Sequence, residues 1–266
     1  MVRKKETSYL KTEGYEIIYP GINGSPTTTQ VSSIKNYLLT EKVDICYIGQ
    51  DIYAGGTSAS DKEFRSILAE YLNKKGVLIL FWEANPYSNG GAQTFFQEFF
   101  ANPNIKQERV NARGGGLYKL SGINDEITNG PFGDARGKYW GEDASWAMSI
   151  GNLPSGEIDV YSWGDDYTDN GDTATHSYVT GFKHRTLNLI FFGDGGFPSS
   201  TYTANGNSSN SATICPFYWE AGTMKPIPKP NYGYGSAGQN VYNSIVWCNV
   251  MAWAIKQAQF NGINTP

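Results

Sequence analysis

Apolar residues form short continuous runs at several places along the chain. The run VLILFW at residues 77–82 is nearly all apolar, which is typical of a strand covered on both faces of a parallel sheet. Similar runs occupy residues 43–48 and 187–192, and a shorter one occupies residues 15–19 before a proline. Each run is bounded by glycine or proline, so the pattern predicts four strands.

Helical periodicity separates these runs. Thr27 and Gln30 have the spacing of a capping box, and apolar residues follow on one helical face. Ser60 and Glu63 repeat that spacing and predict the cap of a second helix. The stripe of this second helix has i, i+3, i+4, i+7, i+8 spacing and consists of Phe64, Ile67, Leu68, Tyr71 and Leu72. Two further helices are predicted over residues 91–100 and 241–257.

The alternation of strand and helix predicts an α/β domain with a mostly parallel sheet. Residues 105–182 differ, because glycine, asparagine and aspartate dominate and only short β-like pieces remain. We interpret them as a β-rich insertion on the same domain, so that residues 1–266 form one unit. A long polar loop is predicted over residues 198–238.

The composition narrows the classes of function. The net charge is −4 and basic residues cluster only at residues 3–5, so no nucleic-acid partner is expected. No segment has the roughly 18 apolar residues of a membrane span, and the polar residues 1–12 do not predict a signal peptide. Charged residues are only 17% of the chain, which favours an extracytoplasmic protein or a structural assembly. The compartment and the oligomeric state stay open.

The cysteines do not form a recognisable framework. Cys46, Cys215 and Cys248 are far apart and odd in number, which predicts neither a disulfide scaffold nor a metal site. No cofactor is expected either, because the glycine run at residues 114–116 lacks a nucleotide fingerprint.

Three segments together resemble the class I glutamine amidotransferase-like superfamily. They read VDICYIGQDIYAG, SDKEFRSILAEYLNKKGVLILFWEAN and LNLIFFGDGGF, and a C-terminal helix follows them. The likeness is greatest to non-amidotransferase branches such as trehalose-utilisation-type domains, and it covers about half the chain. It implies a flavodoxin-like domain of three layers. It also implies that residues 4–13 are the end of a helix capped by Gly14, and that the family's usual first strand is absent.

The catalytic residues of that family are missing here. Its nucleophile lies in a sharp turn that corresponds to residues 81–85, where there is no cysteine. Its histidine follows a late strand that corresponds to residues 187–192, and Gly193–Asp194–Gly195–Gly196 stands there instead. Thiolate acyl transfer needs both groups, so we expect no amidotransferase activity and name no catalytic residue.

Three acids follow predicted strands. Asp51, Glu83 and Asp194 each come shortly after an apolar run, and ligands of open parallel sheets bind beyond the carboxyl ends of the strands. Converging carboxylates bind cations, accept hydrogen bonds from sugar hydroxyls, or act as an acid–base pair. The alternative is that each acid only orders its own loop.

A second candidate group lies in the insertion. Trp140, Glu142 and Asp143 place an aromatic ring beside two carboxylates, the usual lining of a sugar site. The alternative is a glycine turn with Trp140 packed over the sheet. Residues 165–172 carry four aspartates, but their spacing does not match a calcium loop, and a solvated turn is the default. His176 and His184 are expected to be structural.

Two classes of function follow. The first is a non-catalytic binding or structural module, with a glycan or a protein as partner. The second is a carbohydrate-active hydrolase that uses paired carboxylates. The separation of the carboxylates distinguishes them.

Overall fold

The computed structural model describes residues 2–6, 13–18, 21–22, 24–49, 52–83, 91–110, 116–143, 147–164, 167–168, 178–200, 215–233 and 239–265. The strands are β1 (Val2–Glu6), β2 (Glu13–Ile17), β3 (Ile45–Gly49), β4 (Val77–Phe81), β5 (Lys106–Arg109), β6 (Leu117–Lys119), β7 (Asn129–Gly130), β8 (Gly133–Asp134), β9 (Tyr139–Gly141), β10 (Met148–Gly151), β11 (Ile158–Trp163), β12 (Tyr167–Thr168), β13 (Tyr178–His184) and β14 (Leu189–Phe192). The helices are α1 (Thr28–Lys35), continued by a π-helical turn (Asn36–Thr40), then α2 (Ala59–Asn73), α3 (Gly91–Phe99) and α4 (Asn243–Phe260).

The main sheet is mixed, with parallel strands at its centre. Its order is β2-β1-β3-β4-β14-β13-β10-β5, and β11 also pairs with β13. The strands β3, β4 and β14 are parallel, as the apolar runs predict, because helical crossovers connect parallel neighbours. The outer strands are antiparallel, and β13 joins β14 through a turn that is too short for a crossover. The predicted α/β class is confirmed.

The N-terminal helix prediction is wrong. Residues 2–6 and 13–17 pair as antiparallel strands, with Val2 opposite Ile17 and Glu6 opposite Glu13. The strand β1 also meets β3, where Val2 pairs with Ile45. The segment has no apolar stripe that a helix could bury, whereas the ladder satisfies its backbone groups.

Both faces of the central strands are covered. On one face, Leu78, Leu80 and Phe191 pack against α1, α2 and α3. On the other, Ile79 and Phe192 pack against α4 and against the side chains of β6 and β9. This explains why the strand sequences are apolar without alternation. The arrangement has three layers, with part of the β-rich insertion completing the second face.

Helix caps agree with the sequence in one case and differ in another. The capping box of Thr27 and Gln30 forms as predicted. The predicted cap of α2 at Ser60 is wrong: Ser58 is the N-cap, and its hydroxyl accepts a hydrogen bond from the Asp61 amide at 3.1 Å. Ser58 has extended backbone angles, whereas Ser60 already lies inside the helix.

The buried side chain of Asn249 on α4 holds part of the insertion in place. Its amide nitrogen donates to the carbonyls of Ile127 and Gly133, both at 3.1 Å, and its oxygen accepts from the Phe132 amide at 3.0 Å. Two of these hydrogen bonds tie the β7–β8 hairpin to the C-terminal helix, and the third ties the segment just before it. Among the helices described, α4 included, none is both long and apolar enough to cross a membrane.

Candidate functional site

Glu83 and Asp194 are neighbours because of strand register. Phe81 on β4 is opposite Phe192 on the parallel strand β14. Each acid follows its strand end by two residues, so both side chains leave the same edge of the sheet. The sequence prediction that these two acids converge is met in the structure.

Asp143 joins them from the insertion, two residues after β9. Its backbone amide donates to Asp194 Oδ2 at 3.2 Å, and its carboxylate packs over the backbone of Gly196. One carboxylate oxygen from each of Glu83, Asp143 and Asp194 lies within 4.8 Å of the other two. We call these three residues the acidic edge. Asp143 is half-buried, and the other two are buried.

The glycine-rich turn after β14 shapes the acidic edge. The Gly195 amide donates to Glu83 Oε2 at 3.2 Å, and the Gly196 amide donates to Asp194 Oδ1 at 2.9 Å. A side chain at Gly193 would meet the carbonyl oxygen of Met148 at 1.7 Å, so only glycine allows β10 to approach this closely. Asp194 therefore orders its own loop, Glu83 orders the loop of the neighbouring strand, and the two acids also converge.

The pKa of Asp194 is raised well above its usual value of 3.8. Burial is the main cause, since its side chain is fully enclosed, and the charges of Asp143, Glu83 and Glu142 add to it. The amide of Gly196 opposes the shift by hydrogen bonding to the carboxylate. The acidic edge thus favours a protonated Asp194 beside other carboxyl groups.

Glu142 has an internal role rather than an open ligand-binding position. It is fully buried, and its carboxylate accepts from the Gly116 amide at 3.1 Å, the Tyr118 hydroxyl at 2.5 Å and the Ala147 amide at 2.8 Å. These bonds connect the start of β6 to the segment before β10. The prediction that Glu142 lines a sugar site is therefore corrected: its buried carboxylate holds Gly116, Tyr118 and Ala147 together.

Trp140 does not offer a stacking platform. Its ring is fully buried and stacks on Tyr118 with centroids 4.3 Å apart, and its indole nitrogen donates to Ser162 Oγ at 2.9 Å. The alternative interpretation, a tryptophan packed over the sheet, is the one the structure supports. Burial of this large ring stabilises the second face and excludes it from contact with a sugar.

Several predicted positions lie outside the described residues. Asp51, the third acid of the sequence prediction, is one, and His176 is another. The acidic run at residues 165–172 is described only at residues 167–168. His184 is buried, in agreement with a structural role.

Sequence reasoning missed the contribution of the segment at residues 215–233. Tyr232 is fully buried, and its hydroxyl donates to the Glu142 carbonyl oxygen. Burial and the nearby Asp194 and Asp143 raise the pKa of Tyr232 well above 10.0. Lys229 lies beside it, with Nζ 5.4 Å from the centre of the Tyr232 ring and 2.5 Å from the Cys215 carbonyl oxygen. No periodic pattern in this polar, proline-rich segment indicates such a contact.

Oxygen ligands at this spacing fit hard cations. Calcium binds oxygens at about 2.3–2.6 Å, so two ligands on opposite sides of one ion are about 4.6–5.2 Å apart. One oxygen from each acid of the acidic edge lies within 4.8 Å of the other two, which is close enough for all three to reach one ion. Two of the cysteines are poorly ionised, since burial raises the pKa of the thiols of both Cys46 and Cys248 to about 11.

Comparison with solved structures finds six chains that are similar to this one. No family model matches the chain, and no curated protein matches its sequence. Among solved structures, the chain is similar to one described as a "putative gmp synthase subunit a protein" from Thermoplasma acidophilum. The TM-score is 0.40 and the identity 10%, over 90% of this chain and 94% of the other. The α/β class rests on the strand order and pairing of this chain itself.

Proposed function

We propose that this chain is a non-catalytic binding module with a glutamine amidotransferase-like fold, and that its ligand site is the acidic edge. The observation that carries the proposal is the convergence of Glu83, Asp143 and Asp194, whose oxygens lie within 4.8 Å of one another. Glu83 and Asp194 lie at the carboxyl ends of adjacent parallel strands, where open α/β sheets bind their ligands, and Asp143 joins them from the insertion.

A carboxyl group of raised pKa beside two other carboxyl groups favours a hydroxyl-rich ligand such as a sugar. A protonated Asp194 carries a donor, and an ionised carboxylate offers only acceptors. A sugar hydroxyl both donates and accepts, so such a pair is complementary to it. Asp143 is the most exposed of the three and is the group that a ligand would meet first.

The cysteine positions argue against acyl transfer. Cys46 lies within β3 and Cys248 within α4, and both have raised pKa values. Neither follows β4, where the resemblance predicts a nucleophile, and Glu83 is in that region instead. A binding role therefore accounts for the acidic edge, because binding does not require the thiolate nucleophile that acyl transfer would need.

The proposal is tested by isothermal titration calorimetry with a panel of neutral mono- and disaccharides that includes trehalose. We expect one class of saccharide to bind, and Asp143→Asn and Glu83→Gln to weaken that binding at least tenfold. Asp159→Asn is the matched control, because Asp159 forms an ion pair of 2.8 Å with Arg185 and is not part of the acidic edge. If CaCl₂ binds and no saccharide does, the proposal of a hydroxyl-rich ligand is refuted. If saccharide binding is unchanged in both acidic-edge variants, the proposal that the acidic edge is the ligand site is refuted.

A carbohydrate hydrolase is the second candidate. The raised pKa of Asp194 beside Asp143 is the pattern of a general acid next to an ionised carboxylate. One oxygen of each lies within 4.8 Å of the other, which is closer than the roughly 5–5.5 Å between the carboxyl groups of retaining glycosidases. The complete burial of Asp194 and its two backbone hydrogen bonds count against direct proton transfer to a substrate, and the half-buried Asp143 is the group of the acidic edge that a ligand would reach. Release of nitrophenol from aryl glycosides, abolished by Asp194→Asn and kept by Asp159→Asn, would favour the hydrolase instead.

A further inference from the structure

His184 lies at the end of β13, beside the turn that leads into β14. Its side chain is only 5% exposed. The ring stacks on Phe100 at an interplanar angle of 8° and meets the edge of Phe99. The imidazole is therefore fixed between the end of α3 and the turn, and its two nitrogens face different groups.

The nitrogen Nδ1 closes the turn. It accepts hydrogen bonds from the backbone amides of Thr186 at 3.2 Å and Leu187 at 3.0 Å. Accepting two N–H groups requires a lone pair on Nδ1, so the proton of the neutral ring is on Nε2. Nε2 lies 3.5 Å from Glu157 Oε2, which suits a donor.

The same turn is held from its other side and forms the wall of a cleft. Asn188 donates to the carbonyl oxygens of Lys75 and Asn261, both at 3.1 Å. A cleft of about 360 Å³ lies there, lined by Lys75, Thr186, Leu187, Asn188, Gln257 and Asn261. The turn and the wall of the cleft share Thr186, Leu187 and Asn188.

We propose that His184 is a pH-sensitive clasp, whose neutral ring closes the turn between β13 and β14 and whose protonation at Nδ1 releases it. A protonated Nδ1 becomes a donor and faces two backbone donors, so both of these hydrogen bonds are lost, and the Thr186 hydroxyl 3.4 Å away is left as its acceptor. The device is separate from the acidic edge and does not depend on the proposed function.

The surrounding charges fit this behaviour. Glu157, before β11, is the acid that faces the ring, and its side chain is 57% exposed, so solvent screens it. Arg185 is paired with Asp159, and Lys183 with Asp125. The end of α3 contributes the rings of Phe99 and Phe100. Burial lowers the pKa of His184 below 6.5, while Glu157 opposes the shift.

Nuclear magnetic resonance of the imidazole nitrogens tests the clasp in the full chain. The sequence has two histidines, so His176→Asn assigns the remaining signals. We expect Nδ1 of His184 to be unprotonated at pH 8, and the amides of Thr186 and Leu187 to shift as the ring titrates below pH 6.5. Their protection from hydrogen exchange should fall about two- to tenfold on protonation, the loss expected for a hydrogen bond. A ring that carries its proton on Nδ1, or that titrates at or above pH 6.5, would overturn the proposal.

Two variants separate the clasp from simple packing. His184→Asn keeps an acceptor near the position of Nδ1 and cannot titrate, so the turn amides should stay protected at low pH. His184→Phe keeps the ring and removes the acceptor, so the same amides should lose protection at every pH. If both variants show the pH dependence of the wild type at Thr186 and Leu187, the clasp is refuted.

Discussion

Arg65 clamps the loop after β3, and its removal should destabilise the protein more than the loss of its ion pair does. The side chain is 2% exposed on α2. One terminal nitrogen donates to the carbonyl of Ala54 and, at 2.9 Å, to that of Gly56. The other two nitrogens bind Glu98 at 2.7 and 2.8 Å, but that glutamate is 50% exposed.

The size of the effect follows from these partners. Arg65→Met keeps most of the apolar stem but leaves the buried Ala54 carbonyl without its donor, a loss of about 1–3 kcal/mol. With the partly buried Gly56 carbonyl included, we expect about 2–4 kcal/mol in total. Glu98→Gln weakens only a half-exposed pair, so it should cost less than about 1 kcal/mol.

Urea unfolding followed by tryptophan fluorescence measures both variants, with the free energy obtained by linear extrapolation. The melting temperature of Arg65→Met should fall by roughly 4–16 °C, and that of Glu98→Gln by no more than about 4 °C. The reasoning is refuted if the two variants are equally destabilised, because the ion pair and not the backbone clamp would then carry the energy.

Three further changes test the surroundings of the acidic edge. Tyr118→Phe removes the hydroxyl that donates to Glu142 and should lower the free energy of unfolding by about 1.5–3 kcal/mol in urea; an unchanged midpoint would contradict the internal role of that carboxylate. Gly196→Ala places a Cβ 1.9 Å from Asp143 Oδ2, so it should displace Asp143 and lower the free energy of unfolding by about 1–3 kcal/mol. Saccharide binding measured by calorimetry should be lost as well. Full binding would show that Asp143 is not needed. The pKa of Asp194 is raised in the folded state, so its stabilising contribution is complete below its ordinary value of 3.8 and is lost as the pH rises through the folded value. The free energy of unfolding of Asp194→Asn should lack this decline. Parallel pH profiles for the variant and the wild type would refute the shift.

The central strands and the helices could be predicted because local patterns specify them. The run at residues 77–82 is apolar throughout and is covered on both faces, and the stripe of α2 is buried as its spacing indicates. The N-terminal hairpin could not be predicted in this way, since pairing between residues 2–6 and 13–17 depends on backbone hydrogen bonds rather than on an apolar pattern. The antiparallel pairing of β10 with β5 and with β13 likewise joins segments that are distant in the sequence.

The candidate site was partly predictable for the same reason. The positions of Glu83 and Asp194 follow from strand ends in a parallel sheet, so their convergence could be anticipated. The place of Asp143 depends on how the insertion packs over Gly196, and the burial of Trp140 depends on Tyr118 and Ser162. Neither contact has a signature in the spacing of the residues.

The convergence of the three acids is tested most directly by a carboxyl-carbon magnetic resonance titration of Asp194. Charges and burial raise its pKa, so the wild type should titrate well above 3.8. In Asp143→Asn the same carboxyl should titrate at a lower pH than in the wild type, because one of the two largest neighbouring causes is gone, whereas Asp159→Asn should leave it unchanged. An Asp194 that titrates near 3.8 in the wild type, or that does not respond to Asp143→Asn, would contradict the acidic edge.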